Sequence, residues 1–451
     1  MDPLSLHQVA ALTGAELVGR DGGATVNGVA LDSRRSAPGT LFVALAGARS
    51  DGHDFAADAA ARGAVAVLGA RPVAALPTLV VEDPAAALAL LGAECRRRSG
   101  ARVVAVTGSN GKTTVKELLA AMLAETGPTL ATEGNRNNLL GVPEMLCRLD
   151  GGHRYAVIEM GANAPGEIAQ LTAWAQPDVG VVTNAGPAHL EGFGSLNGVA
   201  RAKGELFEGL PGHGVAVIHA DDDYSGLWRE LAGARRCLTF GAETGQIRYR
   251  GRGSRLELDL GGGWTAAPTP LLGRHNAQNI AAAAACAAAL EVPARTILER
   301  VAAAAAVPGR LQLRWGCHGG WLVDDTYNAN PASLQAAIDT VTEFGGAPWL
   351  LLGAMGELGR EAADWHRRAG QRARAAGIQR LWTLGGAAAP AAEGFGVGGR
   401  CFDDASALIE ACRAEMPADA VVLVKGSRSA AMEHVAAGLA AEESTTEGGD
   451  R

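Results

Sequence analysis

The stretch Arg102–Leu119, RVVAVTGSNGKTTVKELL, decides how the rest of the chain reads. Arg102 to Val106 is β-branched and apolar and predicts a short buried strand. Gly108-Ser109-Asn110-Gly111 predicts a turn. Lys112-Thr113-Thr114 then opens a helix whose Val115, Leu118, Leu119 and Met122 share one face. A strand, a glycine turn and a helix N-terminus in that order make an anion cradle, because backbone N–H groups and the helix dipole converge on one spot. Glycines admit phosphate oxygens, a lysine ammonium reaches the outer phosphates, and a threonine hydroxyl can ligate Mg²⁺. The general pattern wants a glycine where Val106 stands. Gly108 is the nearer one, so the loop is a short variant. A glycine-rich turn that merely contains Lys-Thr is the competing reading.

Lysine usage adds weight. The chain has 40 basic residues, of which only Lys112, Lys116, Lys203 and Lys425 are lysines. Arginine serves wherever a generic positive charge will do, so a retained lysine marks a place for a compact, titratable amine. Lys116 is expected on an ordinary helix face. Lys112, Lys203 and Lys425 are the three to explain.

At 451 residues the chain exceeds one ordinary core, and its 48% hydrophobic and 20% charged content is that of a globular protein. The net charge of −8 speaks against nucleic-acid binding but not against a nucleotide held at a local positive site. No signal peptide or membrane-spanning run is evident, and the seven cysteines form no C-x-x-C pair. A cytoplasmic protein with free thiols is expected.

Residues 1–98 predict a small α/β domain. Two of its loops, Asp32-Ser33-Arg34-Arg35 and Gly47 to Asp54, flank a strand and carry small, polar and basic groups suited to a sugar nucleotide; ordinary surface turns share this composition. The run Arg96-Arg97-Arg98 reads as a helix end, which a solvated, dipole-favoured terminus also explains. Residues 101–312 alternate strand and helix, predicting a mostly parallel sheet with ligands at the strands' carboxyl ends. Segments that bring polar residues there are Thr132 to Asn138, rich in the chain's scarce asparagines, and the strand Tyr155 to Glu159. Val179 to Asn184, leading to His189, and the helix carrying Lys203 complete the set. A carboxylate closing a strand beside a phosphate loop is where a Mg²⁺ ligand belongs, with a capping glutamate as the alternative. His189 suits a metal or a satisfied polar environment. Asn276 and Asn279 share a helix face and could read an adenine edge, or Asn276 could cap the helix. Residues 313–441 predict a third α/β unit with polar turns at Thr326 to Pro331 and Lys425 to Ser429, and 442–451 a disordered tail.

The segments TGSNGKTT, TEGNRNNLLGVP, AVIEMGAN, AHLEGFGS, RAKGELF, GRHNAQN, VPGR, DDTYNANP and KGSRSAAME occur in this order. Together they resemble the Mur ligases, ATP-dependent amide ligases of peptidoglycan precursor synthesis, over nearly the whole chain. The short phosphate-loop spacing is the form that family uses. The absence of the Asp-Asn-Pro-Arg signature of members that add diaminopimelate points to the member that joins D-Ala-D-Ala to UDP-N-acetylmuramoyl-tripeptide. A folylpolyglutamate synthase or another Mur ligase is the alternative within the enzyme class; a nucleotide-binding switch without ligase activity is the alternative outside it.

The resemblance implies an N-terminal UDP-sugar domain, a central P-loop ATPase-like domain and a C-terminal Rossmann-like domain. It implies ATP, two Mg²⁺ ions, small-molecule substrates and a monomer. Gly108, Ser109, Asn110, Gly111, Lys112, Thr113 and Thr114 would hold ATP phosphates. Asn276 and Asn279 would face adenine, Asp325 the ribose, and Arg310 the phosphates. Thr113 and Glu159 would hold one Mg²⁺ and His189 a second. Lys203 matches a lysine carbamylated in several members, and as a carbamate it too would ligate metal. Ser33, Arg34, Asp51 and His53 would face the uridine nucleotide, while Asn135, Asn138, Tyr327, Asn328, Lys425 and Ser427 would line the substrate cleft. One departure stands out: Gly353-Ala354-Met355 replaces the family's usual Gly-Asp-Met.

Overall fold

The computed structural model describes residues 1–47, 50–187 and 190–441. His189 and the tail 442–451 lie outside the described residues, as do Ala48 and Arg49 of the Gly47–Asp54 loop. Among the described residues three large sheets follow one another along the chain, with a two-stranded antiparallel pair, Leu4–Ser5 and Thr25–Val26, beside the first.

The first opens with a helix, Leu6–Thr13, started by a Ser5/Gln8 capping box and stopped by Gly14 in the left-handed conformation. Its five-stranded sheet runs in the order Glu16–Val18, Thr78–Val80, Ala64–Gly69, Thr40–Val43, Gly28–Ala30. Only the Glu16–Val18 edge is antiparallel.

The central sheet has nine strands. Arg102–Thr107 lies between Val179–Val182 and Tyr155–Glu159, parallel to both. The parallel order continues through Val215–His219, Arg236–Gly241 and Ile247–Arg250. Two short antiparallel strands, Glu257–Asp259 and Trp264–Ala266, end it. Alternate residues of the first strand feed opposite cores: Val104 and Val106 pack with the helices Lys112–Ala124 and Arg274–Ala289, Val103 and Ala105 with Glu167–Ala175 and Leu196–Glu208. A sheet covered on both faces explains why this strand reads as a continuous apolar run. All three parallel strands end beside the phosphate loop, as open α/β sheets require of a ligand site.

The third sheet runs Gln312–Trp315, Trp321–Asp325, Ala420–Lys425, Ala347–Leu352, Arg380–Leu384, Gly399–Phe402, antiparallel only at its first pair. Its first strand begins at Gln312, and Leu311 is already buried in the third core, so the sheet starts slightly ahead of the boundary expected at 312/313. Among the described residues no helix is long and apolar enough to cross a membrane. The seven cysteines are free.

The arginine run at 96–98 is only partly a solvated helix end. Arg97 and Arg98 pair with Glu94, but Arg96 is half-buried and reaches the central domain. Its guanidinium donates to the carbonyls of Ala175 (2.8 Å), Gln176 (2.9 Å) and Ala101 (3.1 Å) and meets Asp178 at 3.3 Å. The same Asp178 oxygen accepts from the Val103 amide at 2.7 Å. One side chain thus joins the first domain to the strand that carries the phosphate loop.

Candidate active site

The loop Gly108–Gly111 is fastened from two sides. Gly108 and Gly111 have φ of 140° and 83°, and a Cβ would come within 2.0 Å of Thr183 Oγ1 at the first and 2.2 Å of Asn279 Oδ1 at the second. Only glycine fits either place. Asn110 is held by Asn184: its amide donates to Asn184 Oδ1 at 3.0 Å, and its carbonyl accepts from Asn184 Nδ2 (3.1 Å) and Thr183 Oγ1 (2.6 Å). Ser109 Oγ donates to the Gly186 carbonyl at 3.0 Å and accepts from the Gly186 amide at 2.9 Å. A residue of the third domain joins in, as Asn330 Nδ2 donates to Asn110 Oδ1 at 2.8 Å. Asn330 also caps the helix Pro331–Val341.

The helix Lys112–Ala124 makes its first internal bond from the Val115 amide to the Gly111 carbonyl, at 2.9 Å. The amides of Lys112, Thr113 and Thr114 therefore have no acceptor in their own helix and face the loop. The Lys112 ammonium folds back onto its own loop, donating to the carbonyls of Gly108 (2.7 Å) and Ser109 (3.3 Å). Desolvation pushes its pKa below the usual lysine range; Glu159 pulls it up and Arg310 presses it down.

Glu159 ends its strand buried, with 3% of its surface exposed. Its Oε1 accepts from Asn137 Nδ2 at 2.9 Å, while its Oε2 is buried and has no partner among the described residues. A buried carboxylate oxygen without a donor is costly unless a ligand completes it. Close by in the site, the Thr113 hydroxyl accepts from Arg310 Nη2 at 2.8 Å. Arg310 lies over the Tyr327 ring at 4.2 Å, and its buried Nε has no partner among the described residues. One carboxylate oxygen and one hydroxyl beside a phosphate cradle is a hard-oxygen donor set that fits Mg²⁺, which takes one or two carboxylates and fills its other positions with phosphate oxygens and water.

Lys203, on the helix Leu196–Glu208, is 2% exposed. Among the described residues its ammonium makes a long contact, 3.5 Å to the Ala162 carbonyl, and lies 5.3 Å from the centre of the Phe193 ring. Burial, then the nearby Lys112 charge, lowers its pKa to about 7, against the pull of Glu167 and Glu205. Lys425 is equally buried but fully engaged. It donates to Asp325 Oδ2 at 2.5 Å and to the Asn328 carbonyl at 2.9 Å. Asp325 Oδ1 accepts from the Leu311 amide at 3.2 Å, so these residues fix the interdomain linker to the third sheet. The Ser427 amide donates to the Ala354 carbonyl at 2.8 Å, so the departure at 354 lies against the Lys425–Ser429 turn. His366 fixes the next residue, accepting from the Met355 amide at 2.9 Å.

Several expected contacts take other forms. Asn276 does not cap its helix; Gly273 does. Asn276 donates to the Leu272 carbonyl at 2.8 Å and accepts from Asn279 Nδ2 at 3.1 Å, and Asn279 lies over Gly111. Asn138 is a local cap, accepting from the amides of Leu140 and Gly141, while Asn135 is exposed. Asn137, between them, was passed over as a site residue and is the one that grips Glu159. Lys116 is not on an ordinary face: it is 2% exposed.

The first domain's polar loops are largely self-satisfied. Arg34 forks onto Asp32, at 2.6 Å for its Nη2, and Ser33 is buried. His53 accepts from the Ala70 amide at 3.0 Å, which places its proton on Nδ1, facing Asp51 at 2.6 Å. Arg71 holds the other Asp51 oxygen at 3.1 Å. Arg35, not Arg34, reaches across to the central domain, meeting Glu133 at 3.5 Å in a network with Arg136 and Arg148.

Family models match the chain in three successive parts: Mur ligase family, catalytic domain over 25–112; Mur ligase middle domain over 106–287; and Mur ligase, glutamate ligase domain over 309–428. The UDP-N-acetylmuramoyl-tripeptide–D-alanyl-D-alanine ligase of Escherichia coli is 42% identical across 97% of this chain and 99% of its own. The chain belongs to the Mur ligase family. A crystal structure of MurF from Acinetobacter baumannii superposes with a TM-score of 0.89 at 34% identity, covering 97% of this chain and 98% of that one. MurF from Thermotoga maritima in complex with ADP gives 0.81 at 31% identity, covering 90% and 96%. This Mur ligase catalyses an ATP-dependent amide-forming step of peptidoglycan precursor synthesis, in a family that uses ATP and Mg²⁺.

Proposed function

We propose that this enzyme joins D-Ala-D-Ala to UDP-N-acetylmuramoyl-tripeptide in the cytoplasm. The single observation that supports the chemistry is the unpartnered, buried Glu159 oxygen beside a phosphate loop whose lysine and threonine rest on substitute partners. The relatives' names, spanning nearly the full chain, support the choice of substrates. A carboxylate is a poor electrophile until one of its oxygens becomes a phosphate leaving group. ATP therefore phosphorylates the tripeptide's terminal carboxylate, the dipeptide amine attacks the acyl carbon, and the tetrahedral intermediate collapses to amide and phosphate.

In this reading Lys112 leaves the carbonyls of Gly108 and Ser109 for the phosphates, joined by the amides of Lys112, Thr113 and Thr114 that the helix leaves without an acceptor. Arg310 leaves the Thr113 hydroxyl for the same charge. Thr113 and Glu159 would hold one Mg²⁺ and His189 a second, and such ions would supply positive charge against the phosphoryl group. Lys203 near pKa 7 offers a neutral amine that captures CO₂: an N–C bond forms, a proton leaves, and the resulting anion is a metal ligand. Asn276 and Asn279 flank the adenine side and Asp325 the ribose. Tyr327, Asn328, Lys425 and Ser427 shape the third-domain wall. The first domain takes the uridine nucleotide at the Ser33–Arg35 turn, with Asp51 and His53 as its scaffold. Asn135 and Asn138 border the path of the peptide.

The test is product mass. ATP, UDP-N-acetylmuramoyl-tripeptide and D-Ala-D-Ala should give ADP, phosphate and the pentapeptide. Preference for glutamate or diaminopimelate as the amine would assign another family activity. Phosphate release independent of the dipeptide would favour a nucleotide switch.

A further inference from the structure

In a chain with four lysines, three are fully buried and two of those, Lys203 and Lys425, stand in segments already assigned to the cleft. The third, Lys116, has no such assignment. It lies one turn beyond Lys112 on the phosphate-loop helix, 2% exposed. Its ammonium donates to the Thr132 carbonyl at 2.8 Å and pairs with the half-exposed Glu117 carboxylate. Burying an ammonium is costly, and an apolar side chain of similar volume would serve packing as well or better. The cost is therefore a clue to what the charge holds in place.

Thr132 follows the edge strand Thr129–Ala131 and begins the loop to Asn138. Its own amide donates to the Val157 carbonyl at 3.0 Å, and its hydroxyl accepts from the Glu159 amide at 2.9 Å. The far end of the same loop returns to Glu159 through Asn137 Nδ2, and the Asn137 carbonyl accepts from the Gly161 amide at 2.7 Å. The loop thus grips Glu159 at backbone and carboxylate, and Lys116 ties the start of that loop to the helix that carries Thr113. Two groups on different elements, the Thr113 hydroxyl and the Glu159 carboxylate, owe their spacing to this tie.

We propose that Lys116 is a positioning residue that sets the separation of Thr113 and Glu159 for a shared Mg²⁺, acting through the Thr132 carbonyl; this rests on the metal assignment made above. Its ammonium touches neither nucleotide nor metal. A short, flexible point charge reaches a single carbonyl inside a packed helix face, which a planar guanidinium fork fits poorly. That accounts for a lysine where the chain otherwise writes arginine.

The experiment compares wild type with Lys116→Met by equilibrium binding of a fluorescent, non-hydrolysable ATP analogue across a Mg²⁺ titration. ADP binding without Mg²⁺ and thermal melting are measured alongside. The expected result is about a tenfold rise in the Mg²⁺ needed for half-maximal enhancement, the scale seen when groups supporting a metal ligand are lost. Melting temperature and metal-free ADP affinity should stay at wild-type values. An unchanged Mg²⁺ requirement in Lys116→Met, with wild type behaving normally, overturns the positioning role alone. A wild type whose nucleotide binding ignores Mg²⁺ overturns the metal assignment and the proposal with it. Should Lys116→Met fail to fold, Lys116→Arg decides, since it keeps the charge but replaces the compact ammonium that reaches the Thr132 carbonyl. The same Mg²⁺ shift there supports the tie, and its absence rejects it.

Discussion

The phosphate loop at 108–114 and the first-domain loops at 32–35 and 51–54 look alike in sequence: small residues, acidic and basic groups, a strand on one side. In the folded chain they differ in how their hydrogen-bonding capacity is spent. Around the first domain's loops, His53 uses both ring nitrogens, Arg34 forks onto Asp32, and Arg71 closes the second Asp51 oxygen. Around the phosphate loop, Lys112 leans on two carbonyls that need no cation, Thr113 accepts from an arginine of the linker, and Glu159 keeps an oxygen without a partner among the described residues. Polar groups that are mutually satisfied build a loop; polar groups left with provisional partners await something. Unspent valence separates a scaffold from a site where composition cannot.

The sharpest way to break this contrast is Lys112→Ala. Phosphate release should fall by about a thousandfold, since a donor aimed at the developing phosphoryl charge is lost. Near-normal release would remove the triphosphate from this loop. Next comes Lys203→Met, which should cut turnover about a hundredfold, as loss of a metal-supporting group does. It should also stabilise the fold. A lysine whose folded pKa is lowered from 10.5 to about 7 destabilises the native state fully below about pH 7, and that penalty is relieved as pH rises toward 10.5. The variant should therefore melt higher than wild type at pH 7, by a few kcal/mol of unfolding free energy, with the gap closing by pH 10. A pH-independent gap would mean the amine is charged in the folded protein. The smallest catalytic effect belongs to the scaffold side. His53→Ala should leave kcat within about twofold while costing about 1–3 kcal/mol in stability, the range for stranding buried partners such as the Ala70 amide. A large loss of turnover with unchanged melting would move His53 from scaffold to site.

How far the sequence could be read follows the same division. The strand, glycine turn and helix of 102–119 are specified locally, by β-branched residues, by glycines at positive φ and by a helical apolar face, so they were legible. The parallel order of the central sheet followed from alternating strands and helices. Lys116 was misread because its neighbours place it one residue from exposed Glu117, and only the tertiary approach of Thr132 buries it. Asn137 was passed over among adjacent asparagines, since nothing in the run distinguishes the one that turns toward Glu159 from the one that caps the helix Gly141–Leu146. Asn330 was read as part of a turn. Its bond to Asn110 spans two domains, and no local rule encodes such a pairing. The run at 96–98 reads as a helix end for which a solvated terminus is one explanation, and nothing local tells Arg96 from its neighbours, because its acceptors at Ala175 and Gln176 lie some eighty residues downstream.

The alanine-rich helix Arg274–Ala289 packs with the phosphate-loop helix in one core, almost wholly through methyl groups, from Ala281 to Ala287. That lining keeps the two helices near enough for Asn279 to overhang Gly111. The clearance above the nucleotide seat is thus gauged by side chains that carry no chemistry and lie turns away from it. Two added methyls, as in Ala283→Val, would jack the helices apart and widen that clearance, so turnover in this enzyme can drift through residues that never approach a substrate.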